Sequence, residues 1–310
     1  MNILVYGWYH SGNIGDDLFC EAFAKMFPAH KFYYTQVITI DNLTNIDAVF
    51  FGGGSFLDGE PRIKPDALNL LKAKKIFYLG IGTETHIHSI HQTLMADAKL
   101  IASRSPNSNY IFTPDLVYSL SENKKELPAL PKSILVLPNI ELVPKWNDPH
   151  WKYIAWEYFK TQFAQFLDEA VEDGYTLDFF SMCSNDTMND NWAAIEMINK
   201  MKNRKSKYHL LNLKSNFENI TQLLSQYSLI ISQRFHGIVL SEILNKPYIA
   251  IHHHDKIKNC YPNRGNFIPY YEISKHKIVD NFLKLNQFND KFDMNFNELK
   301  EEVETFLIGE

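Results

Sequence analysis

Residues 229–251 read LIISQRFHGIVLSEILNKPYIAI. Leu229 to Ser232 is a short apolar run of strand type, Ile238 to Leu244 has helical spacing, and Tyr248 to Ile251 is a second apolar run. Strand, loop, helix and strand make a βαβ unit. Unbroken apolar strands of this kind belong to parallel sheets buried on both faces. In such sheets ligands bind beyond the carboxyl ends of the strands, which is where Gln233-Arg234-Phe235-His236-Gly237 falls.

The same grammar runs outward to both termini. Ile3 to Tyr6 is followed by the loop WYHSGNIGDD and then a helical pattern with apolar residues at Leu18, Phe19, Ala22, Phe23 and Met26. Ala48 to Phe51 ends in Gly52-Gly53-Gly54-Ser55, Lys75 to Leu79 ends in Gly80-Ile81-Gly82, and Leu100 to Ser103 ends in Arg104. The polar stretch 121–133, with Pro128 and Pro131, reads as a linker. A second series follows: strands at 134–137, 176–180 and 208–213, helices at 151–172, 190–203 and 216–227, and a terminal helix within 289–310. The expected domains are 1–125 and 126–288, both Rossmann-like, with 289–310 packing back on the body. Two such halves facing each other imply a cleft.

Composition bounds the partners. The 310 residues include 31 Lys plus Arg and 36 Asp plus Glu, a net charge of -5, and 45% are apolar. This is an ordinary globular composition without the basic footprint of a nucleic-acid binder. Cys20, Cys183 and Cys260 are odd in number and form no CxxC pair, which argues for a reducing compartment and against a structural zinc. No apolar run reaches 18 residues, and MNILVYG lacks the pattern of a signal peptide. The expectation is a cytoplasmic protein, free or at the membrane face. His252, His253 and His254 alternate in direction along an extended strand and make a poor chelate, so no metal is expected.

The chemistry-bearing candidates sit at the strand ends. Arg234 offers a bidentate grip on phosphate or carboxylate, His236 a proton near neutral pH, and the start of the following helix its N–H groups. The bland alternative is a His that caps the helix and an Arg that pairs with a local acid. Lys256 and Arg104 add cations at other strand ends, each equally readable as a surface residue. Gly12-Asn13-Ile14-Gly15-Asp16 resembles a phosphate cradle only loosely, and the glycine runs can be mere turn geometry. Asp115, in Thr113-Pro114-Asp115, reads as structural. Trp8, Tyr9, Trp151 and Trp156 are sugar-stacking candidates that are more often core.

Together these motifs resemble the polysaccharide pyruvyl transferase family. In order they are GNIGDD, DAVFFGGGSFLDG, YLGIGT, ASRSPNS, TPDLVYSL, ISQRFHGIVLSEILNKPYIAI and the downstream Lys256, covering most of residues 1–260. Phe235 stands where Leu is common in the family. The resemblance implies a GT-B-like α/β fold and a pyruvyltransferase that moves the enolpyruvyl group of phosphoenolpyruvate onto a sugar. The product is a pyruvate ketal, phosphate leaves, and no cofactor is required. It places Arg104, His236 and Lys256 at the catalytic donor site with Phe235 beside the His, and Arg234 adds a further donor contact. The acceptor glycan or glycan precursor is expected at Asn13, Asp16, Gly53, Gly54 and Ser55. Two other readings share the architecture. A nucleotide-sugar glycosyltransferase would use Glu242 on a ribose, and a non-catalytic sugar-binding protein would not need Arg104, His236 and Lys256 together.

Overall fold

The computed structural model describes residues 1–82, 86–105, 109–185, 188–202, 207–209, 216–252, 267–284 and 296–309. The chain divides into two units. The first contains Met1–Ser11, Asp16–Glu122 and Phe292–Glu310, and the second Gly12–Gly15 and Asn123–Lys291.

The first unit starts with β1 (Asn2–Tyr6), α1 (Ile14–Met26, of which Ile14 and Gly15 belong to the second unit), β2 (Lys31–Thr35), a helical turn α2 (Ile40–Leu43) and β3 (Ala48–Gly54). It continues with α3 (Leu68–Lys72), β4 (Lys75–Ile81), α4 (Ser89–Ala96), β5 (Leu100–Ser103) and β6 (Ile111–Phe112). The six strands form one parallel sheet in the order β2-β1-β3-β4-β5-β6. Strand order reverses between β1 and β3. Such a switch point opens a crevice at the carboxyl ends of its two strands, and Gly52-Gly53-Gly54-Ser55 lies there. Every residue of β3 is buried, as a central strand covered on both faces requires.

The second unit holds β7 (Ser133–Leu137), α5 (His150–Glu172), β8 (Thr176–Phe180), α6 (Asp190–Lys200), β9 (Lys207–His209) and α7 (Phe217–Ser225). Then come β10 (Leu229–Ser232), α8 (Phe235–Ile243), β11 (Tyr248–His252), β12 (Phe267–Pro269) and α9 (Lys275–Lys284). Its parallel sheet runs β12-β11-β10-β7-β8-β9, the order of a dinucleotide-binding Rossmann sheet. The switch point is between β7 and β10, where Leu137–Asn139 and Ser232–His236 emerge. On one face, Phe159, Phe163 and Leu167 of α5 and Ala194 and Met197 of α6 pack with Val136, Phe179 and Ile231 of the sheet.

The tail helix α10 (Asn297–Ile308) belongs to the first unit, buries Leu299, Val303 and Leu307, and ends with Lys75 Nζ donating to the Leu307 and Gly309 carbonyls. The polar stretch 121–133 does not run free: Lys125 N donates to Thr221 Oγ1, Leu127 N to Ser225 Oγ and Leu130 N to the Gln226 carbonyl. No helix among the described residues is long and apolar enough to cross a membrane.

Candidate active site

In the first unit the site residues gather where β3, β4 and β5 end. Gly53 and Gly54 have φ of +67° and +140°, which an L side chain resists. A β-carbon on Gly53 would also strike the Phe19 ring at 2.5 Å, so α1 packs directly on the strand end. That close packing carries Asp16 to the Gly54 backbone, its Oδ1 3.7 Å from where a β-carbon would stand. Arg104 is only 2% exposed. Its Nη1 donates to Asp115 Oδ2 at 2.6 Å and its Nη2 approaches Ser55 Oγ at 3.4 Å. Asp115 is locked in turn by Val117 N on its other oxygen. Arg104 is thus a buried, oriented cation, and the turn reading of Asp115 acquires an electrostatic reason.

In the second unit Ser232 makes the turn out of β10. Its Oγ accepts from Arg234 N at 3.2 Å and donates to the Arg234 carbonyl at 2.7 Å. Arg234 is the extended N-cap residue of α8, and the helix begins at Phe235. RFHG is therefore not a loop preceding a helix at Ile238: His236 and Gly237 stand in the first turn. Gly237 is tolerated there because the helix lies against the sheet, where a β-carbon would meet Leu137 Cδ1 at 2.5 Å. His236 is buried, and the Phe235 ring lies edge-on to it at 5.4 Å.

Arg234 grips Asp190 with two nitrogens, Nε to Oδ2 at 2.9 Å and Nη2 to Oδ1, and Glu141 lies 3.9 Å from Nη1. Asp190 is fully buried at the first position of α6 and also accepts from Cys183 N and Ile140 N. Burial pushes its carboxyl up against the pull of Arg234 and those two donors, while Asp190 holds the guanidinium charged. Beside it, Asn139 N donates to Gln233 Oε1 at 2.8 Å. Asn13, a residue of GNIGDD, caps the start of α1 by accepting from Gly15 N at 3.2 Å.

The model of one known family matches residues 13–255, and its description is polysaccharide pyruvyl transferase. The chain belongs to this family. The match spans Asn13, the glycines of β3, Arg104 and the whole RFHG segment. No curated protein sequence matches the chain significantly. Among solved structures, a UDP-GlcNAc 2-epimerase from Neisseria meningitidis bound to UDP-GlcNAc is similar over 100% of both chains, with TM-score 0.57 and 9% identity. The MnaA–UDP co-structure from S. aureus is similar over 93% of this chain and 88% of that one, with TM-score 0.51 and 10% identity. At such identities the likeness concerns fold, and it shows the GT-B-like α/β class expected for a polysaccharide pyruvyl transferase.

Other candidates sort by burial. Lys256, His253, His254 and Cys260 lie outside the described residues. Tyr9 and Trp156 are core residues, and the Tyr9 hydroxyl donates to the Gly52 carbonyl. Trp151 is exposed, and Trp8 lies under the Arg62 guanidinium at 4.9 Å. Burial, with Asp17 and Glu21 nearby, pushes the Cys20 thiol up to about 12, far from a nucleophile's range. Glu242 accepts from the Tyr248 hydroxyl at 2.7 Å. Sequence reasoning missed Asp190 and Asn139. An Asp at a helix start is the only local signal Asp190 carries, and its partner Arg234 is 44 residues away.

Proposed function

We propose that this polysaccharide pyruvyl transferase uses phosphoenolpyruvate as donor and forms a pyruvate ketal on a sugar of a glycan or glycan precursor. The observation that carries the reading is His236 in the first turn of α8, at the switch point of the second sheet, within the family-matched region. A proton donor beside the N–H groups of a helix start suits an anionic substrate that must be protonated on carbon.

The steps follow from the residue types. Phosphoenolpyruvate carries a carboxylate and a phosphate, and Arg104, Arg234 and Lys256 are the cations we assign to it. Phe235 packs beside the donor. Protonated His236 delivers its proton to the enol methylene, which becomes the methyl group, and C2 becomes electrophilic. One sugar hydroxyl adds to C2, and its proton restores His236. The C–O bond to phosphate breaks, a second hydroxyl closes the ketal, and its proton leaves with phosphate. The reaction consumes one phosphoenolpyruvate and two hydroxyls and needs no redox partner. Asn13, Asp16 and the Gly53-Gly54-Ser55 turn are assigned to the acceptor, for which Asp16 offers a hydroxyl-binding carboxylate.

The test is a thermal-shift titration of wild type and His236→Ala with phosphoenolpyruvate, UDP and GDP, paired with an assay of phosphate release. A ligand at 100 times its Kd stabilises the fold by about 2.7 kcal/mol. Stabilisation by phosphoenolpyruvate is expected in both proteins, with release slowed about 10²–10⁴-fold in His236→Ala. Stabilisation by a nucleotide alone would replace this reading with a nucleotide-sugar glycosyltransferase.

A further inference from the structure

The glycine at position 15 is not demanded by its own backbone, since it is absent from the positive-φ glycines. What excludes a side chain is His236. A β-carbon on Gly15 would overlap the imidazole, with Cε1 at 2.9 Å and Nδ1 and Cγ nearer still. Flexible side-chain tips yield to such a contact, but this ring is short, buried and anchored in the first turn of α8. Gly15 is the floor on which His236 rests.

That floor is itself fastened. Ile14 N donates to the Met182 carbonyl and Ser184 N to the Gly12 carbonyl, both at 2.9 Å, and Asn13 and Cys183 form an antiparallel bridge. The segment 12–14 is thus a short backbone ladder on 182–184. Asp190 then closes a ring of contacts. One carboxylate oxygen takes Cys183 N, and the pair together takes the guanidinium of Arg234, two residues before His236. The backbone under the imidazole and the residue that starts its helix are therefore held by the same buried carboxylate.

We propose that Gly15 and Asp190 are positioning residues for His236: Gly15 sets how deep the ring sits, and Asp190 fixes the two walls of its seat. The consequence for catalysis rests on the reading that His236 delivers the proton; the geometric claim stands apart from it. Neither residue touches the reacting atoms.

The experiment compares wild type, Gly15→Ala and the control Gly59→Ala, whose β-carbon would meet only the Phe56 carbonyl oxygen at 3.8 Å. Each is made with His236 intact and with His236→Ala. The readouts are the His236 ring resonances by NMR, the melting temperature, and kcat and KM for phosphoenolpyruvate. Gly15→Ala is expected to move the His236 resonances and lower the melting temperature. The same substitution is expected to cost nothing in the His236→Ala background, because the clash is gone. A displaced reacting group costs about 100-fold, here expected in kcat with KM nearly unchanged. Gly59→Ala should match wild type throughout. Asp190→Asn is expected to move the same resonances, and an unchanged spectrum would remove it from the device.

Unmoved resonances in a folded Gly15→Ala protein, or equal melting losses with and without the ring, would overturn the proposal. If Gly15→Ala does not fold, the double variant must, and its failure also overturns it. If wild type turns over no phosphoenolpyruvate while the resonances still move and the melting losses still couple, the seat stands and the donor reading falls.

Discussion

Each unit buries an arginine–aspartate pair near the end of a strand. Arg104 and Asp115 do so in the first, with side chains 1% exposed each, and Arg234 and Asp190 in the second, at 11% and 0%. A charge taken out of water tolerates no loss of its partner. Asp190→Ala strips Arg234 of its bidentate anion and leaves two backbone N–H groups without an acceptor. We expect a loss of about 3–5 kcal/mol in denaturant unfolding, against a surface carboxylate such as Glu298→Ala that changes little. The two arginines were legible in the sequence because each follows an apolar strand. Their partners were less so. Asp115 reads as a turn residue, and Asp190 shows nothing of Arg234, because pairing across 44 residues is set by sheet order rather than by local pattern.

At the scale of elements, apolar periodicity located nearly every central strand and major helix, and the differences have physical causes. β2 (KFYYT) escaped notice because an edge strand, with exposure alternating unevenly, needs no continuous apolar run. α1 starts at Ile14 rather than near Leu18, since Asn13 caps it within a glycine-rich stretch. α8 starts at Phe235 although Gly237 reads as a breaker, because at that position small size matters more than helix propensity. The tail helix α10 is apolar on one stripe only, Leu299, Val303 and Leu307, and it docks on the first unit through that stripe and the hydrogen bond of His30 Nε2 to Glu304 Oε2 at 2.9 Å. Leu307→Ala should cost about 2–5 kcal/mol, read as a lower denaturant midpoint with unchanged slope. A change in slope would instead show the helix already undocked in the native state.

At the scale of the whole molecule, His91 is one group through which pH acts on stability. Its ring is fully buried among Phe51, Phe56 and Tyr78, with Nδ1 3.0 Å from the Tyr78 hydroxyl. Burial first, then the neighbouring His88, pulls its pKa down to about 4. In the unfolded chain an imidazole titrates near 6.5. The unfolded state therefore binds the proton first as pH falls. The contribution of this group is full above about 6.5 and declines toward about 4, with a loss of about 2 kcal/mol between pH 7 and pH 5. Urea unfolding across that range should show the slope, and His91→Gln should flatten it; an equal slope in both would assign the decline to other groups.

The sequence by itself determined the α/β class, the repeated strand–loop–helix units, the membership in a pyruvyl transferase family and the strand ends at which the candidate residues collect. These rest on local patterns: apolar runs for strands buried on both faces, helical spacing, and glycine where the chain turns. Only the tertiary structure decided the strand orders and their switch points, the seating of His236 on Gly15, the buried aspartate partners and the unit to which the tail helix belongs. Those are matters of which distant segments meet. Gly15 and His236 stand 221 positions apart in the sequence, and no periodicity spans that interval; their contact exists because the segment 12–14 pairs with 182–184, the stretch that follows β8 in the sheet whose β10 leads to His236.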